Sequence, residues 1–203
     1  MNGVASVLAW VAGSGVVQGL IIGATFAFLT AILIMNAVGR TITTTVNGWR
    51  SIRTAGRPGN GILVRAASAK ALPAVNVFDE AAYWTTTRDS AGHPLSGQHE
   101  YVLRFPAGQL PPNDAFWSLT ITDSVGYMVS NSIGRSSVND RSKLGKNADG
   151  SIDIYLQREA PTGHEQNWLP APSGKFKLML RAYLPGQAIL DGTYRVPPVV
   201  REN

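Results

Sequence analysis

The chain has 203 residues, 15% of them charged, no cysteine and a formal net charge of +5. That length accommodates one ordinary domain plus a short appendage, and the lack of cysteine excludes disulfides, thiolate catalysis and cysteine-ligated metals. The positive balance is local: residues 1–78 carry six bases and no acid, whereas residues 79–203 carry twelve bases and thirteen acids. A nucleic-acid binder is expected to hold its excess charge on the folded domain, so this layout argues against nucleic acid as a partner.

From Met1 to Gly39 there is no Asp, Glu, Lys, Arg or His. Residues 1–39 therefore predict a hydrophobic N-terminal helix. Crossing a bilayer needs about 20 apolar residues, which places a single transmembrane span at about 16–38. Trp10 precedes it as an interfacial anchor. Residues 3–15 are too short to cross alone; they either continue the helix into the interface or bend at Gly13-Ser14-Gly15. A cleaved signal peptide is the rival expectation. The basic leading segment is missing, the apolar run is too long and no small-x-small cleavage site closes it, so a retained signal-anchor is expected. Within the span Gly15, Gly19, Gly23, Ala27 and Ala31 recur at every fourth position and share one ridge. In lipid such a groove lets a second helix approach closely, which predicts a helix–helix partner, either another copy or a different membrane protein.

Residues 40–78 read as a basic juxtamembrane connector. Arg40, Arg50, Arg53 and Arg57 follow the span and are expected to contact lipid headgroups. Thr41 to Val46 is β-branched and suits a short strand or the last helical turn. Arg57-Pro58-Gly59-Asn60-Gly61 is a breaker cluster, and Ala66 to Leu72 predicts a short helix that stops at Pro73.

From Val75 onward the pattern switches to period two, and residues 79–203 predict a β-rich domain. Strands are expected at Tyr83–Thr87, Glu100–Phe105, Phe116–Thr122, Tyr127–Ser130, Ile152–Gln157 and Phe176–Tyr183. They are separated by turn chemistry at Ala91-Gly92, Pro111-Pro112-Asn113-Asp114, Asp149-Gly150, Ala171-Pro172-Ser173-Gly174 and Asp191-Gly192. The expected fold class is mainly β, an antiparallel β-sandwich or jelly-roll-like domain behind one N-terminal transmembrane helix.

Phe116-Trp117-Ser118-Leu119-Thr120, then Asp123, Gly126, Asn131 and Arg135, then Ser137-Val138-Asn139-Asp140-Arg141, form a recognisable series. It continues through Asn147-Ala148-Asp149-Gly150-Ser151, Asn167-Trp168-Leu169-Pro170-Ala171-Pro172, Leu190-Asp191-Gly192-Thr193-Tyr194 and Pro197-Pro198-Val199-Val200-Arg201. Over roughly residues 95–203 the chain resembles the family catalogued as domain of unknown function 1214, and Ala82-Tyr83-Trp84 suits its short, membrane-anchored members. Thr122 stands where relatives often have Tyr, and Ser132 where they often have Pro. The resemblance implies a β-rich, jelly-roll-like domain in exported or envelope proteins and no established reaction. It points to the extracytoplasmic side, whereas the arginines after the span favour a cytoplasmic domain by the positive-inside rule. The outward orientation is the expectation retained.

Candidate chemistry is sparse. His93, His99 and His164 lack a G-x-S-x-G elbow, and no His-based metal or triad site is expected. Asn147, Asp149, Ser151 and Asp153 alternate like calcium ligands, but glycine falls at the fourth position and no Glu closes the loop, so a turn at Asp149-Gly150 is expected instead. Arg135, Asn139, Asp140 and Arg141 either clamp an anionic ligand or pin a loop through ion pairs. Trp117 and Trp168, with Tyr155, form either an aromatic binding platform or part of the core. No metal or cofactor is predicted. The leading expectation is a non-enzymatic, membrane-tethered binding or assembly module, with membrane lipids and a helix–helix partner around it. The alternative is an envelope enzyme acting on a carbohydrate or lipid-linked substrate through Asp123, Asp140 and Arg141. A pilin-like subunit ranks last, because no prepilin-type processing site precedes the helix.

Overall fold

The computed structural model describes residues 2–72 and 75–202. The apolar N-terminal region forms two helices, α1 (Asn2–Gly13) and α2 (Gly15–Ile42). They are separated at Ser14, which takes extended backbone angles and accepts the Val17 N–H on its hydroxyl as an N-cap. The chain therefore breaks between the two glycines rather than continuing as one helix. The Gln18 amide donates to the Ala12 carbonyl, satisfying an acceptor freed at the break. α2 is long and apolar enough to cross a membrane, with a mean hydropathy of 2.2 and none of that stretch buried.

α2 runs to Ile42 and hands over to β1 (Thr44–Val46), so the β-branched run is both the last helical turn and a strand. β1 pairs with β2 (Trp49–Ser51) through Asn47-Gly48, whose φ values of 52° and 81° give the two-residue turn that Asn-Gly favours. α3 (Ile62–Ala71) begins directly after the Gly/Pro cluster, four residues earlier than the sequence pattern indicated, and packs against α2. The expected stop at Pro73 lies outside the described residues.

The β-domain holds β3 (Ala81–Thr86), β4 (Tyr101–Phe105), β5 (Asn113–Asp123), β6 (Ser137–Asn139), β7 (Ile152–Gln157), β8 (Trp168–Pro170), β9 (Phe176–Pro185) and β10 (Val199–Arg201). A short helix, α4 (Gln187–Leu190), follows β9. The strands form a six-stranded sheet of order β1-β2-β3-β9-β5-β6 and a four-stranded sheet of order β10-β4-β7-β8. All pairings are antiparallel except β7 with β8. Along β9 buried and half-buried residues alternate, as period two demands of a strand with one face on the core. Leu119, Leu178 and Leu180 from the first sheet and Leu103, Phe105, Ile154 and Leu156 from the second belong to one buried cluster. Phe105 reaches Trp117, and Tyr101 reaches Phe176, with ring centroids 5.9 and 5.8 Å apart. Each such side chain contributes about 1.5–3 kcal/mol by leaving water.

One predicted strand is absent. Residues 127–130 form a loop, because the Asp123 carboxylate collects the N–H groups of Val125, Gly126 and Tyr127 at 2.9, 2.7 and 2.9 Å and turns the chain. β6 pairs with β5 instead. The apolar residues that suggested a strand, Tyr127, Met128 and Val129, are exposed.

Candidate functional site: a basic groove at the junction of helix and sheet

The outward face of the six-stranded sheet carries the side chains that alternation turns away from the core. Arg50 of β2 lies opposite Thr85 of β3, and Thr85 opposite Met179 of β9. Tyr83 lies opposite Arg181, and Lys177 opposite Thr122. The Arg181 guanidinium donates to the Thr120 hydroxyl at 3.4 Å. Phe116 and Tyr183 stack at 4.3 Å, and the Arg141 guanidinium sits 6.0 Å from the Phe116 ring centre. Burial pushes the Tyr83 phenol above its ordinary pKa, keeping it a neutral donor; its hydroxyl donates to Asn76 Oδ1 at 3.2 Å.

Two cavities open along this face. One, of about 480 Å³, is lined by Met35, Asn36, Gly39 and Arg40 of α2 together with Arg50, Lys70 and Thr85. The other, of about 1180 Å³, continues across the sheet to Arg88, Lys177 and Arg181. They share Arg50, Lys70, Ala71, Leu72 and Thr85, so they form one continuous groove. Lys70 donates to Asn36 Oδ1 at 2.6 Å, tying α3 to α2 at the groove mouth. Six cations and no carboxylate line it. Unneutralised like charges repel one another, and a concave wall focuses their field on any anion that enters.

The residues singled out from sequence scatter. Arg40 and Arg50 line the groove. Arg53 donates to the Leu190 carbonyl and lies over Phe78, and Arg57 pairs with Asp79 at 2.7 Å, so both are committed within the protein. Gly15, Gly19 and Gly23 have no atom within 4 Å of where a Cβ would stand, and Ala27 and Ala31 are exposed, so the ridge is bare. Arg135 donates to the carbonyls of Glu165 and Trp168 at 3.0 and 2.8 Å and fastens the start of β8. Asn139 closes a local turn by accepting the Arg141 N–H at 2.9 Å. Asp140 is exposed, and among the described residues no ion pair joins it to Arg135 or Arg141. The structure therefore assembles neither a two-arginine clamp nor an internal ion-pair network there; Arg141 instead borders the aromatic edge of the sheet face.

Trp117 and Trp168 are buried, the latter donating its indole N–H to the Gln157 carbonyl at 2.8 Å. Tyr155 is half-buried beside His164, 5.0 Å between ring centres. Asp149 is held below its ordinary pKa chiefly by hydrogen bonds from Ser151, and Arg104 engages it at 3.1 Å and Asp153 at 3.6 Å. Gly150, at φ 79°, forms the turn there. Sequence reasoning missed Lys70, Lys177 and Arg181, which are far apart along the chain and look like ordinary solvated cations. Only the sheet order brings them together.

The chain matches the family described as protein of unknown function (DUF1214) over residues 80–187. The chain belongs to the DUF1214 family. The DUF1214 match begins at β3 and stops short of β10, whereas the motifs of the closing segment lie beyond it. Among solved structures the chain is similar to the VPA0106 protein from Vibrio parahaemolyticus, at 30% identity and a TM-score of 0.60, over 70% of this chain and 35% of that one. It is also similar to an uncharacterized protein from Burkholderia cenocepacia, at 14% identity and a TM-score of 0.38, over 91% of this chain and 51% of that one. The chain thus spans about a third and about half the length of these two. No curated protein matches it.

Proposed function

We propose that this DUF1214 protein is a membrane-tethered, non-enzymatic binding and assembly module of the cell envelope. The observation that carries the proposal is α2, an apolar helix none of whose residues is buried and whose last two turns help to line the basic groove. A 28-residue helix is about 42 Å long, more than the roughly 30 Å hydrocarbon layer, so its ends reach the headgroup regions. The Gly/Ala ridge then serves lateral packing, and the domain, whose two sheets share one core in the manner of a sandwich or jelly roll, presents the groove outside the cytoplasm. An enzyme acting through Asp123, Asp140 and Arg141 has less support. The Asp123 Oδ1 already accepts three backbone N–H groups, and among the described residues no ion pair reaches Asp140.

The test is lateral assembly of the full chain in mild detergent. Gly19→Ile with Gly23→Ile fills the ridge and is expected to shift the extracted oligomer, or its co-purifying membrane partner, toward the free monomer. Losing about 1.4 kcal/mol of helix packing changes the association constant roughly tenfold. An unchanged assembly would remove the ridge from the account.

A further inference from the structure

We infer that the groove is a headgroup site, taking the phosphate of an anionic phospholipid from the bilayer that holds α2. The inference rests on the tethered reading and adds to it the chemistry of the ligand. Three features point the same way. The groove opens at Met35, Asn36, Gly39 and Arg40, the last two turns of the apolar helix, where a span meets the headgroup layer. Its lining is amphipathic: Met35, Ala71 and Leu72 give apolar surface at the mouth beside α2, Arg50 and Lys70 line that same stretch, and Lys177 and Arg181 lie further along the sheet. Among the described residues these four cations make no ion pair.

An amphipathic anion satisfies both ends at once, with its tails along α2 and its phosphate between the guanidinium and ammonium groups. Thr85 lies beside them as a hydroxyl partner. A zwitterionic headgroup brings its own cation into the same space and is disfavoured. A soluble phosphate has the same charge chemistry but leaves the apolar mouth unused, which is why the lipid is the occupant chosen.

The experiment places full-chain protein in phosphatidylcholine nanodiscs containing spin-labelled phosphatidylglycerol or spin-labelled phosphatidylcholine and measures the immobilised fraction of each. The native chain is expected to enrich phosphatidylglycerol. Arg50→Gln with Lys177→Gln should reduce that preference by about fivefold per cation removed. Lys143→Gln with Lys146→Gln removes the same charge away from the groove and should leave the preference intact. Equal loss in both double variants would show a bulk charge effect and overturn the site. Release of the immobilised lipid by inorganic phosphate at equal ionic strength, where chloride has no effect, would assign the site to a soluble anion and overturn the lipid. A chain that enters nanodiscs but shows no headgroup preference overturns this inference alone. A chain that does not enter them overturns the tether and the inference together.

Discussion

Asn167 shows how much of this domain rests on single polar side chains. It is buried, donates to the carbonyls of Gly145 and Asp153 at 2.8 Å each, and accepts the Gly145 N–H at 2.6 Å. Asn167→Ala strands backbone groups in the interior, and the expected cost is about 1–3 kcal/mol for each left unsatisfied. Chemical denaturation of the detergent-solubilised chain, followed by tryptophan fluorescence, reads it. Asp123 offers a second test. Hydrogen bonds from the N–H groups of Tyr127 and Gly126 hold its carboxyl below the ordinary pKa of 3.8. A depressed carboxylate contributes stability above its unfolded pKa and loses it as pH falls through the folded one. Asp123→Asn keeps an acceptor but no charge, so the variant's stability should fall less steeply than the parent's as pH drops below about 4. Both residues stood out in the sequence only because they belong to recognised motifs. Composition gave no hint that Asn167 ties a distant loop to β7, since a lone Asn reads as a turn residue.

At the level of elements, legibility followed length. β4, β7 and β9 have five, six and ten residues, enough for alternation to show. β2, β6, β8 and β10 have three each, too few to display any period, and all four were missed. The first hairpin was missed as well, although Asn47-Gly48 between β-branched and aromatic residues is a strong two-residue turn signal. The false strand at Tyr127–Ser130 failed for the opposite reason: its apolar pattern was real, but the Asp123 side chain had already claimed the backbone donors that begin it. The break between α1 and α2 was open in the sequence and is closed by Ser14 acting as a cap. The same physics separates graded versions of the ridge experiment. Gly19→Ala with Gly23→Ala adds one methyl at each site and is expected to weaken the detergent-extracted assembly less than the Ile pair does.

For the whole molecule, the charge layout in the sequence named only part of what the fold brings together. Two of the four arginines expected at the headgroups, Arg53 and Arg57, are engaged within the protein by Leu190 and Asp79. The cations that join Arg40 and Arg50 come instead from α3, from Arg88 just after β3, and from β9, a strand more than a hundred residues away. No local pattern records that meeting, because β9 reaches the groove only through its place between β3 and β5. The proposed function rests on the join: an apolar helix with none of its residues buried leads into a basic groove on the face of a well-packed β-domain.

The claim on which the rest depends is that α2 is a membrane anchor with the domain outside, and one measurement addresses it directly. The chain has no cysteine, and Ser173 is exposed in the turn before β9. Ser173→Cys in the full chain, treated in intact cells with a membrane-impermeant maleimide, is predicted to be labelled before lysis and recovered in the membrane fraction. Labelling only after lysis would place the domain in the cytoplasm, and recovery in the soluble fraction would remove the anchor. Either result contradicts the account.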